Sequence, residues 1–180
     1  MTSLYGREFF AGRSPTVIRS ADVVAPIIHT LFAPSSVLDV GCGKGEWMSA
    51  FSALGASVFG VDIAAPDGDL YLCHDLTTHF DLGRTFDLAV CLEVGEHLPE
   101  DAADTLVDSL VRHSDRVLFS AAVVGQEGVG HINCQPHEYW HDKFAARGYA
   151  MDDPVRPLMA GDQRVSPWYR DNIFVYEAAA

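Results

Sequence analysis

The chain has few cationic residues. It contains 12 Lys and Arg residues against 25 Asp and Glu residues, which gives a formal net charge of −13 over 180 residues. A surface of this charge repels a phosphate backbone unless its positive side chains cluster. We therefore expect no long nucleic acid as a partner, whereas a neutral or cationic small molecule suits this field.

The chain also lacks an obvious segment for export, membrane insertion or cross-linking. Its longest apolar stretch without a full charge, Val23 to Ser36, is interrupted by prolines and is too short to span a bilayer. The N-terminus has no basic start followed by an apolar run, as a secretion signal would. The four cysteines form no CxxC pair, which disfavours a disulfide framework or a zinc knuckle. We predict a soluble cytoplasmic protein without membrane contact, as a monomer or a homodimer.

Apolar segments alternate with amphipathic helical segments along the chain. This βαβα order is typical of a parallel sheet that is covered by helices on both faces. Hydrophobic residues make up 48% of the sequence, which is enough for a core. The length is close to the roughly 150 residues of an average domain. We predict one α/β domain over residues 1–180, with 1–33 as an N-terminal helical segment.

Seven strands and several helices are predicted. The strands are Ser36–Val40, Ser57–Val61, Leu70–Cys73, Phe86–Leu92, Arg116–Ser120, Tyr149–Met151 and Asn172–Tyr176. Helices are expected over Gly45–Leu54, from about Pro99, and over Pro136–Arg147. Ser14 and Pro15 resemble a helix start, and Pro26 predicts a kink or a restart near Asp22. The Pro-rich segment 153–167 is predicted to be a loop over a site.

The most informative stretch is a glycine loop, VLDVGCGKG at residues 37–45. A nucleotide P-loop would need Ser or Thr after Lys44, where this chain has Gly45. A dinucleotide loop would need Gly at the position of Glu46, whose carboxylate would also face the pyrophosphate. S-adenosylmethionine has no phosphate and carries an ammonium and a sulfonium. Asp39 suits that ammonium, so this third ligand is favoured over a glycine turn without a ligand.

Two further acidic residues follow the next two strands. Asp62 ends the second strand, where nucleoside-binding α/β folds place an acid that accepts hydrogen bonds from the ribose hydroxyls. Asp75 follows the third strand and is a candidate acceptor for an adenine amino group. The alternative for both is an ordinary cap or turn residue.

These residues together resemble the class I S-adenosylmethionine-dependent methyltransferases. VLDVGCGKGEW resembles the first motif of that family, VFGVDI the second, CHDL the adenine-side acid, and FDLAVCLEVGEHL the fourth-strand motif. The resemblance covers residues 36–177. It implies a Rossmann-like doubly wound sheet of seven strands, mostly parallel, with an antiparallel edge hairpin. It also implies S-adenosylmethionine as cofactor, S-adenosylhomocysteine as product, and an O or N atom of a small molecule as methyl acceptor.

The resemblance further implies the cofactor contacts. The methionine half would lie against Asp39, Gly41, Cys42, Gly43 and Gly45; the ribose against Asp62 and Ile63; and the adenine against Asp75 and Leu76. Glu93 would lie near the transferred methyl group. Acceptor recognition is expected from the N-terminal segment, the loop after Ser120 and the Pro-rich segment.

The histidines are the candidate bases. A sulfonium methyl is already activated, so the protein supplies proximity, orientation and a base for a protonated acceptor. His131 lies in a glycine-rich loop after the fifth strand, on the side of the sheet where ligands bind. We predict His131 and Glu93 as catalytic residues, the alternative for His131 being a loop histidine that only forms hydrogen bonds. The remaining candidates, His29, His74, His79 and His113, are expected to be surface or capping residues.

Glu93-Val94-Gly95-Glu96-His97 suggests a metal site. Two carboxylates and an imidazole suit Mg²⁺ or Mn²⁺. The run resembles a metal site of ubiquinone-pathway O-methyltransferases and of small-RNA terminal 2′-O-methyltransferases, with Glu93, Glu96 and His97 as ligands. His131 would then be a fourth ligand instead of a base. The alternative is a metal-free site in which the carboxylates cap the next helix and His97 packs beneath the loop.

Three other functions compete with this one. A metal-assisted RNA 2′-O-methyltransferase is disfavoured by the negative charge, and a catalytically silent domain that only binds S-adenosylmethionine remains open. Residues 137–141 read HEYWH, which formally matches the HExxH pattern of zinc hydrolases. No histidine follows His141 to supply a third ligand, so that hydrolase is disfavoured.

Overall fold

The protein is built around one mixed β-sheet. The computed structural model describes residues 7–65 and 68–179, and the side chains of residues 15–65 and 68–179; residues 1–6 of the predicted N-terminal segment lie outside the described residues. The strands are β1 (Ser36–Val40), β2 (Ser57–Asp62), β3 (Tyr71–Cys73), β4 (Leu88–Leu92), β5 (Arg116–Ser120), β6 (Tyr149–Asp152) and β7 (Phe174–Ala178). Their order is β3-β2-β1-β4-β5-β7-β6. Strand β7 runs antiparallel to both β5 and β6, and the other pairs are parallel. The predicted fold class is confirmed.

Helices cover both faces of the sheet. They are α1 (Arg7–Phe32), α2 (Glu46–Ala53), α3 (Ala103–His113), α4 (His137–Ala145), α5 (Arg156–Met159) and α6 (Pro167–Asn172), with 3₁₀ turns at Gly95–His97 and Glu100–Ala102. One core layer packs α1, α2, α5 and α6 against the sheet, and the other packs α3 and α4. Among the described residues, no helix combines the length and apolar character that a membrane span requires.

Strand β4 shows how the sequence produces two core layers. All five of its residues are buried. Successive side chains of a strand point to opposite faces. Leu88, Val90 and Leu92 accordingly pack with α1 and α2, while Ala89 and Cys91 pack with α3. A continuous apolar run is therefore required here, as in other strands that are covered on both faces.

The strand order creates a crevice beside β1. Strand β1 pairs with β2 on one side and with β4 on the other, so the direction of winding reverses between β1 and β4. In open α/β sheets, ligands bind outside the carboxyl ends of the strands at such a point. Those ends are Val40, which the glycine loop follows, and Leu92, which Glu93 follows.

Several element boundaries differ from the predictions. The helix predicted to start at Ser14 and Pro15 begins at Arg7 and continues through Pro15 and Pro26, without a restart at Asp22. Both prolines are exposed, so the carbonyl groups that they leave unpaired face solvent rather than the core. The buried residues around Pro26, including Val24 and Ile28, hold the helix on the sheet.

The C-terminal third was only partly predicted. The expected loop 153–167 contains helix α5, and Asn172 ends helix α6 instead of starting a strand. Pro167 suits the first position of α6, because its ring presets the helical φ angle and its missing N–H needs no partner there. Strand β7 therefore starts at Phe174, opposite Phe119 of β5.

His113 is not a surface residue. It is fully buried at the end of α3, and its ring stacks on Phe80 at 4.8 Å between ring centroids. Its Nδ1 donates to the Ser109 carbonyl, and its Nε2 accepts from the Leu82 N–H at 3.0 Å. Of the two alternatives predicted for His113, a surface or a capping residue, the surface one is wrong, because the buried imidazole supplies hydrogen-bond partners to backbone groups at the end of α3.

Candidate functional site

The glycine loop is fastened to the end of β2. Gly41 has a φ of +79°, and a Cβ there would lie 2.3 Å from Cγ2 of Val94. Only glycine permits both this backbone conformation and this close approach. The Gly41 N–H donates to the Val61 carbonyl at 2.7 Å, and the Gly43 N–H donates to Oδ2 of Asp62 at 2.9 Å. The loop therefore keeps its shape through contacts with β2 and with the segment that follows β4.

Asp62 organises the ends of β1 and β2. It is buried, and its second carboxylate oxygen, Oδ1, accepts from the Ala64 N–H at 2.8 Å. A carboxylate offers about four acceptor positions, so two remain for further donors. The contact of Asp62 with a ribose stays a prediction, and the structure adds a second role in shaping the glycine loop.

Asp39 is a buried carboxyl group with an unsatisfied oxygen. Its Oδ2 has no hydrogen-bond partner in the part of the chain that the structure describes. Burial raises the pKa of Asp39 to about 8, and the nearby charges of Asp62 and Glu46 act in the same direction. An uncompensated carboxyl group under a glycine loop is a site for a cationic ligand group.

The other predicted cofactor residues differ in exposure. Ile63 is 40% exposed beside Asp62, and Leu76 is buried. Asp75 is exposed, and its Oδ1 accepts from both the N–H and the hydroxyl of Thr77, which lowers the pKa of Asp75. Cys42 is buried, and burial raises the pKa of its thiol. None of these contacts tests the predicted adenine and ribose positions, which stay predictions.

Glu93 lies at the end of β4 in an unusual conformation. Its φ is +57°, a region that residues other than glycine rarely adopt. The Glu93 N–H donates to the carbonyl of Ser120, at 3.0 Å, and to its hydroxyl. Oε2 accepts from Nε2 of Gln126 at 2.9 Å, whereas Oε1 has no partner among the described residues. Burial raises the pKa of Glu93.

Glu96, His97 and His131 form the one group among the described residues that could hold a metal ion. One ligand atom of each lies within 4.8 Å of the others. Glu96 is fully buried, and both of its carboxylate oxygens lack a hydrogen bond from any described residue. Burial, and secondarily the charge of Glu93, raise the pKa of Glu96. The structure thus brings together three of the four residues predicted for the metal alternative, Glu96, His97 and His131, while the fourth, Glu93, contacts Gln126 beside them.

Backbone carbonyls orient both histidines of this cluster. Nδ1 of His97 lies 3.2 Å from the Gly130 carbonyl, and Nδ1 of His131 lies 3.0 Å from the Gln126 carbonyl. A carbonyl oxygen only accepts, so each Nδ1 carries the proton and each neutral ring has its lone pair on Nε2. Nε2 of His131 lies 3.9 Å from Oε1 of Glu96. Metal-ligating histidines commonly have this arrangement, and a general base needs the same lone pair.

The HEYWH run makes other contacts. Nε2 of His137 donates to Oδ1 of Asn172 at 3.1 Å, and Nδ1 of His141 is hydrogen-bonded to the hydroxyl of Tyr176. Both rings also pack edge-on against Phe174. These histidines therefore belong to the packing between α4 and β7, in agreement with the rejection of a zinc hydrolase.

Sequence reasoning missed Gln126 and Asn172. Oε1 of Gln126 accepts from Nδ2 of Asn172 at 2.8 Å, so both amides lie next to Glu93. Gln126 stood in an expected loop and Asn172 in an expected strand, and neither belongs to a motif. Glutamine and asparagine have no local pattern that reveals a long-range contact, so the sequence carried no signal for them.

Comparison with known proteins assigns the family. The methyltransferase domain family matches residues 17–120 of this chain. The chain is 30% identical over 139 residues to a ubiquinone biosynthesis O-methyltransferase of Chromobacterium violaceum, a match that covers 62% of this chain and 59% of the relative. The chain spans about half the length of the curated relatives that it matches.

Solved structures share the fold at low sequence identity. The sugar N-methyltransferase KedS8 from Streptoalloteichus is 18% identical, with a TM-score of 0.70 over 96% of this chain and 92% of that one. The Burkholderia thailandensis 1,6-didemethyltoxoflavin-N1-methyltransferase is also 18% identical, with a TM-score of 0.69 over 99% of this chain and 85% of that one. The chain belongs to the methyltransferase domain family, within the class I S-adenosylmethionine-dependent methyltransferases.

Proposed function

We propose that this chain binds S-adenosylmethionine at the carboxyl ends of β1 and β2 and transfers its methyl group to an O or N atom of a small molecule. The observation that carries the proposal is the buried carboxyl group of Asp39 next to the glycine loop, whose Oδ2 has no hydrogen-bond partner among the described residues. The ammonium of the cofactor would satisfy it. A phosphate in the same position would meet the negative field of Asp62 and Glu46.

The rest of the cofactor follows the edge of the sheet in this proposal. The methionine half lies along the glycine loop, the ribose next to Asp62 and Ile63, and the adenine next to Asp75 and Leu76. Support comes from the two acceptor positions left on Asp62 and from the parallel pairing that aligns the ends of β1, β2 and β3. The relatives support the choice of cofactor, since the toxoflavin methyltransferase structure contains S-adenosylhomocysteine.

The proposed transfer is a single displacement. A bond forms between the acceptor atom and the methyl carbon while the carbon–sulfur bond breaks, and its electron pair stays on sulfur in S-adenosylhomocysteine. An acceptor hydroxyl or ammonium must lose a proton. Nε2 of His131 is the proposed base, because Nδ1 of the neutral ring is held as a donor by the Gln126 carbonyl.

The cluster at Glu96 also fits a divalent metal ion. The two buried oxygens of Glu96 have no hydrogen-bond partner among the described residues, a divalent cation would favour their ionised form, and the rings of His97 and His131 are oriented by backbone carbonyls. Mg²⁺ or Mn²⁺, when bound, would orient an acceptor oxygen and lower its pKa. We propose Glu96, His97 and His131 as the residues that hold it, with Glu93 as the predicted further ligand. His131 would then act as a ligand and not as the base.

The loop between β5 and α4 is the proposed acceptor contact. It carries His131 and three exposed apolar side chains, Val124, Val129 and Ile132. Exposed apolar groups around a reactive side chain suit a small organic acceptor better than a phosphate backbone. The cytoplasmic location and the monomeric or homodimeric state stay predictions.

Calorimetry tests the placement of the cofactor. Because the pKa of Asp39 is raised to about 8, an ammonium that binds it should release a proton at neutral pH. We therefore expect S-adenosylmethionine affinity to increase from about pH 6 to about pH 8, by up to about tenfold per pH unit. Titrations in buffers of different ionisation enthalpy measure the released proton directly.

Asp39→Asn is the matched control, because it retains the shape of Asp39 but cannot titrate. It should bind more weakly and release no proton. Tight binding with no proton release in either protein would contradict the assignment. A turnover screen for S-adenosylhomocysteine with phenol and amine acceptors completes the test, since a silent binding domain would bind cofactor without turnover.

A further inference from the structure

Three side chains form a hydrogen-bonded chain that ends on Glu93. Nε2 of His137 lies 3.1 Å from Oδ1 of Asn172. Nδ2 of Asn172 lies 2.8 Å from Oε1 of Gln126, and Nε2 of Gln126 lies 2.9 Å from Oε2 of Glu93. Asn172 is 3% exposed, so little water competes for these contacts.

The hydrogen bonds between these side chains all point in one direction, from His137 toward Glu93. An ionised carboxylate only accepts hydrogen bonds, so Gln126 must present its amide nitrogen to Glu93. The oxygen of Gln126 then requires the nitrogen of Asn172, and the oxygen of Asn172 requires a donor, which Nε2–H of His137 supplies. In the arrangement that the structure shows, each of the two amides presents its nitrogen toward Glu93 and its oxygen toward His137.

These contacts join three segments that are distant in the sequence. Gln126 lies in the loop between β5 and α4, Asn172 is the last residue of α6, and His137 is the first residue of α4. The main-chain carbonyl of Gln126 also accepts from Nδ1 of His131. One residue thus fixes Glu93 through its side chain and His131 through its backbone.

We propose that Gln126, Asn172 and His137 are positioning residues that hold the carboxyl group of Glu93 toward the reaction site. The assignment of that carboxyl group to the site rests on the proposed function. The φ of +57° at Glu93 places its side chain outside the regular strand, and the amide of Gln126 anchors its Oε2. The hydrogen-bonded side chains therefore fix the orientation of the Glu93 carboxyl group, which the backbone conformation alone does not.

Asn172→Asp tests the direction of the chain with a nearly isosteric change. The introduced carboxylate can accept from His137 but cannot donate to Gln126. The Gln126 amide would then have to turn, which places its oxygen against the carboxylate of Glu93. We expect the melting temperature to fall by about 6 °C.

Glu93→Gln should rescue this variant. An amide at position 93 can present either its oxygen or its nitrogen, so it accepts both directions of the chain. In the Glu93→Gln background, Asn172→Asp should therefore lower the melting temperature by only about 1 °C. Any new attraction between the introduced carboxylate and His137 is present in both backgrounds and cancels in this double-mutant cycle, whereas its repulsion of Glu93 is part of the coupling that the cycle measures.

Gln163→Glu is the control for added charge. Gln163 is exposed in the segment between α5 and α6, and its Nε2 donates to the carbonyl of Gly161. This variant should leave the melting temperature within about 1 °C in both backgrounds. Equal losses for Asn172→Asp in the wild-type and Glu93→Gln backgrounds would overturn the proposal, since a merely structural Asn172 gives additive effects.

Turnover provides the second measurement. Asn172→Asp should lower kcat by about tenfold or more, while the Kd for S-adenosylmethionine changes by less than about threefold. An unchanged kcat together with the coupled stability loss would overturn the positioning role, because the chain would then exist without orienting a reacting group. If the wild-type protein has no methyltransferase activity, the proposed function fails. The double-mutant cycle of melting temperatures would still decide whether the hydrogen bonds from His137 to Glu93 depend on their direction.

Discussion

At the scale of single residues, Asp39 shows most clearly how burial alters a carboxyl group. Aspartate in an unfolded chain has a pKa near 4, whereas the pKa of buried Asp39 is raised to about 8. Between these values the folded protein keeps the proton and the unfolded chain does not. Stability is therefore full below about pH 4 as far as this group is concerned, and it decreases as the pH rises toward about 8.

This difference predicts a pH dependence of stability. The free energy of unfolding of Asp39→Asn, minus that of the wild type, should increase from about pH 5 to about pH 8. Urea unfolding at several pH values measures it. The asparagine variant carries every other titrating group, so the difference isolates Asp39. A difference that is constant with pH would mean that Asp39 is ionised in the folded protein.

Asp62 has two roles that one substitution removes together. Asp62→Ala should weaken S-adenosylmethionine binding by about tenfold or more, since a hydrogen bond to a charged group contributes about 1.5–3 kcal/mol. Calorimetry measures the Kd, with Asp162→Ala as control, because Asp162 contacts its own turn and Arg164. An unchanged Kd would show that Asp62 does not contact the ribose and that cofactor binding does not require Asp62 to anchor the glycine loop.

His131 is either a base or a metal ligand, and chelation separates these roles. His131→Ala should lower kcat by about a hundredfold or more while the Kd for S-adenosylmethionine is retained. The exposed His79→Ala serves as the control. Wild-type activity that survives exhaustive chelation would exclude the metal and leave the base. Full activity of His131→Ala would contradict both roles.

At the scale of elements, the glycine loop depends on close approach as well as on backbone conformation. Gly55 lies two residues after the end of α2 and has a φ of +93°. A Cβ at this position would meet nothing within 4 Å. Gly41 has a similar φ, but its Cβ would overlap Val94. The two positions therefore separate the cost of a left-handed backbone from the cost of crowding.

Gly41→Ala should destabilise the protein more than Gly55→Ala does. We expect about 1 kcal/mol for the left-handed backbone at either position and about 1–3 kcal/mol more for the overlap with Val94. Urea unfolding gives both values, and the Kd for S-adenosylmethionine should increase only for Gly41→Ala. Equal destabilisation by the two variants would show that Val94 moves aside without cost.

Element prediction succeeded where the signal is local. Strands β1 and β5 have the predicted bounds, because each is a short aliphatic run between polar residues. The inward residues of α3 follow a clear helical period. The restart predicted near Asp22 is absent, since the rule for proline does not include the packing of Val24 and Ile28 that holds the helix across Pro26.

At the scale of the whole molecule, the negative charge favours a small-molecule acceptor over an RNA acceptor. A protein of charge −13 should not bind a short single-stranded RNA at about 0.15 M salt, and the RNA should not inhibit methylation of a small acceptor. Fluorescence anisotropy and the turnover assay measure these two properties. Binding that is followed by methylation of a ribose hydroxyl would instead favour the RNA methyltransferase.

The sequence by itself determined the sheet, the glycine loop and the acids at the ends of β1 and β2. These features depend on hydrophobic period and on residues close together in the chain, so a local pattern records them. The sequence offered His131 as a partner of Glu96 and His97 but only as one of two alternatives, and the tertiary structure decided that these three side chains lie together and that Gln126 and Asn172 reach Glu93. Such contacts join segments that are distant in the chain, and their geometry arises from the packing of loops and helices around the sheet, which no single segment encodes.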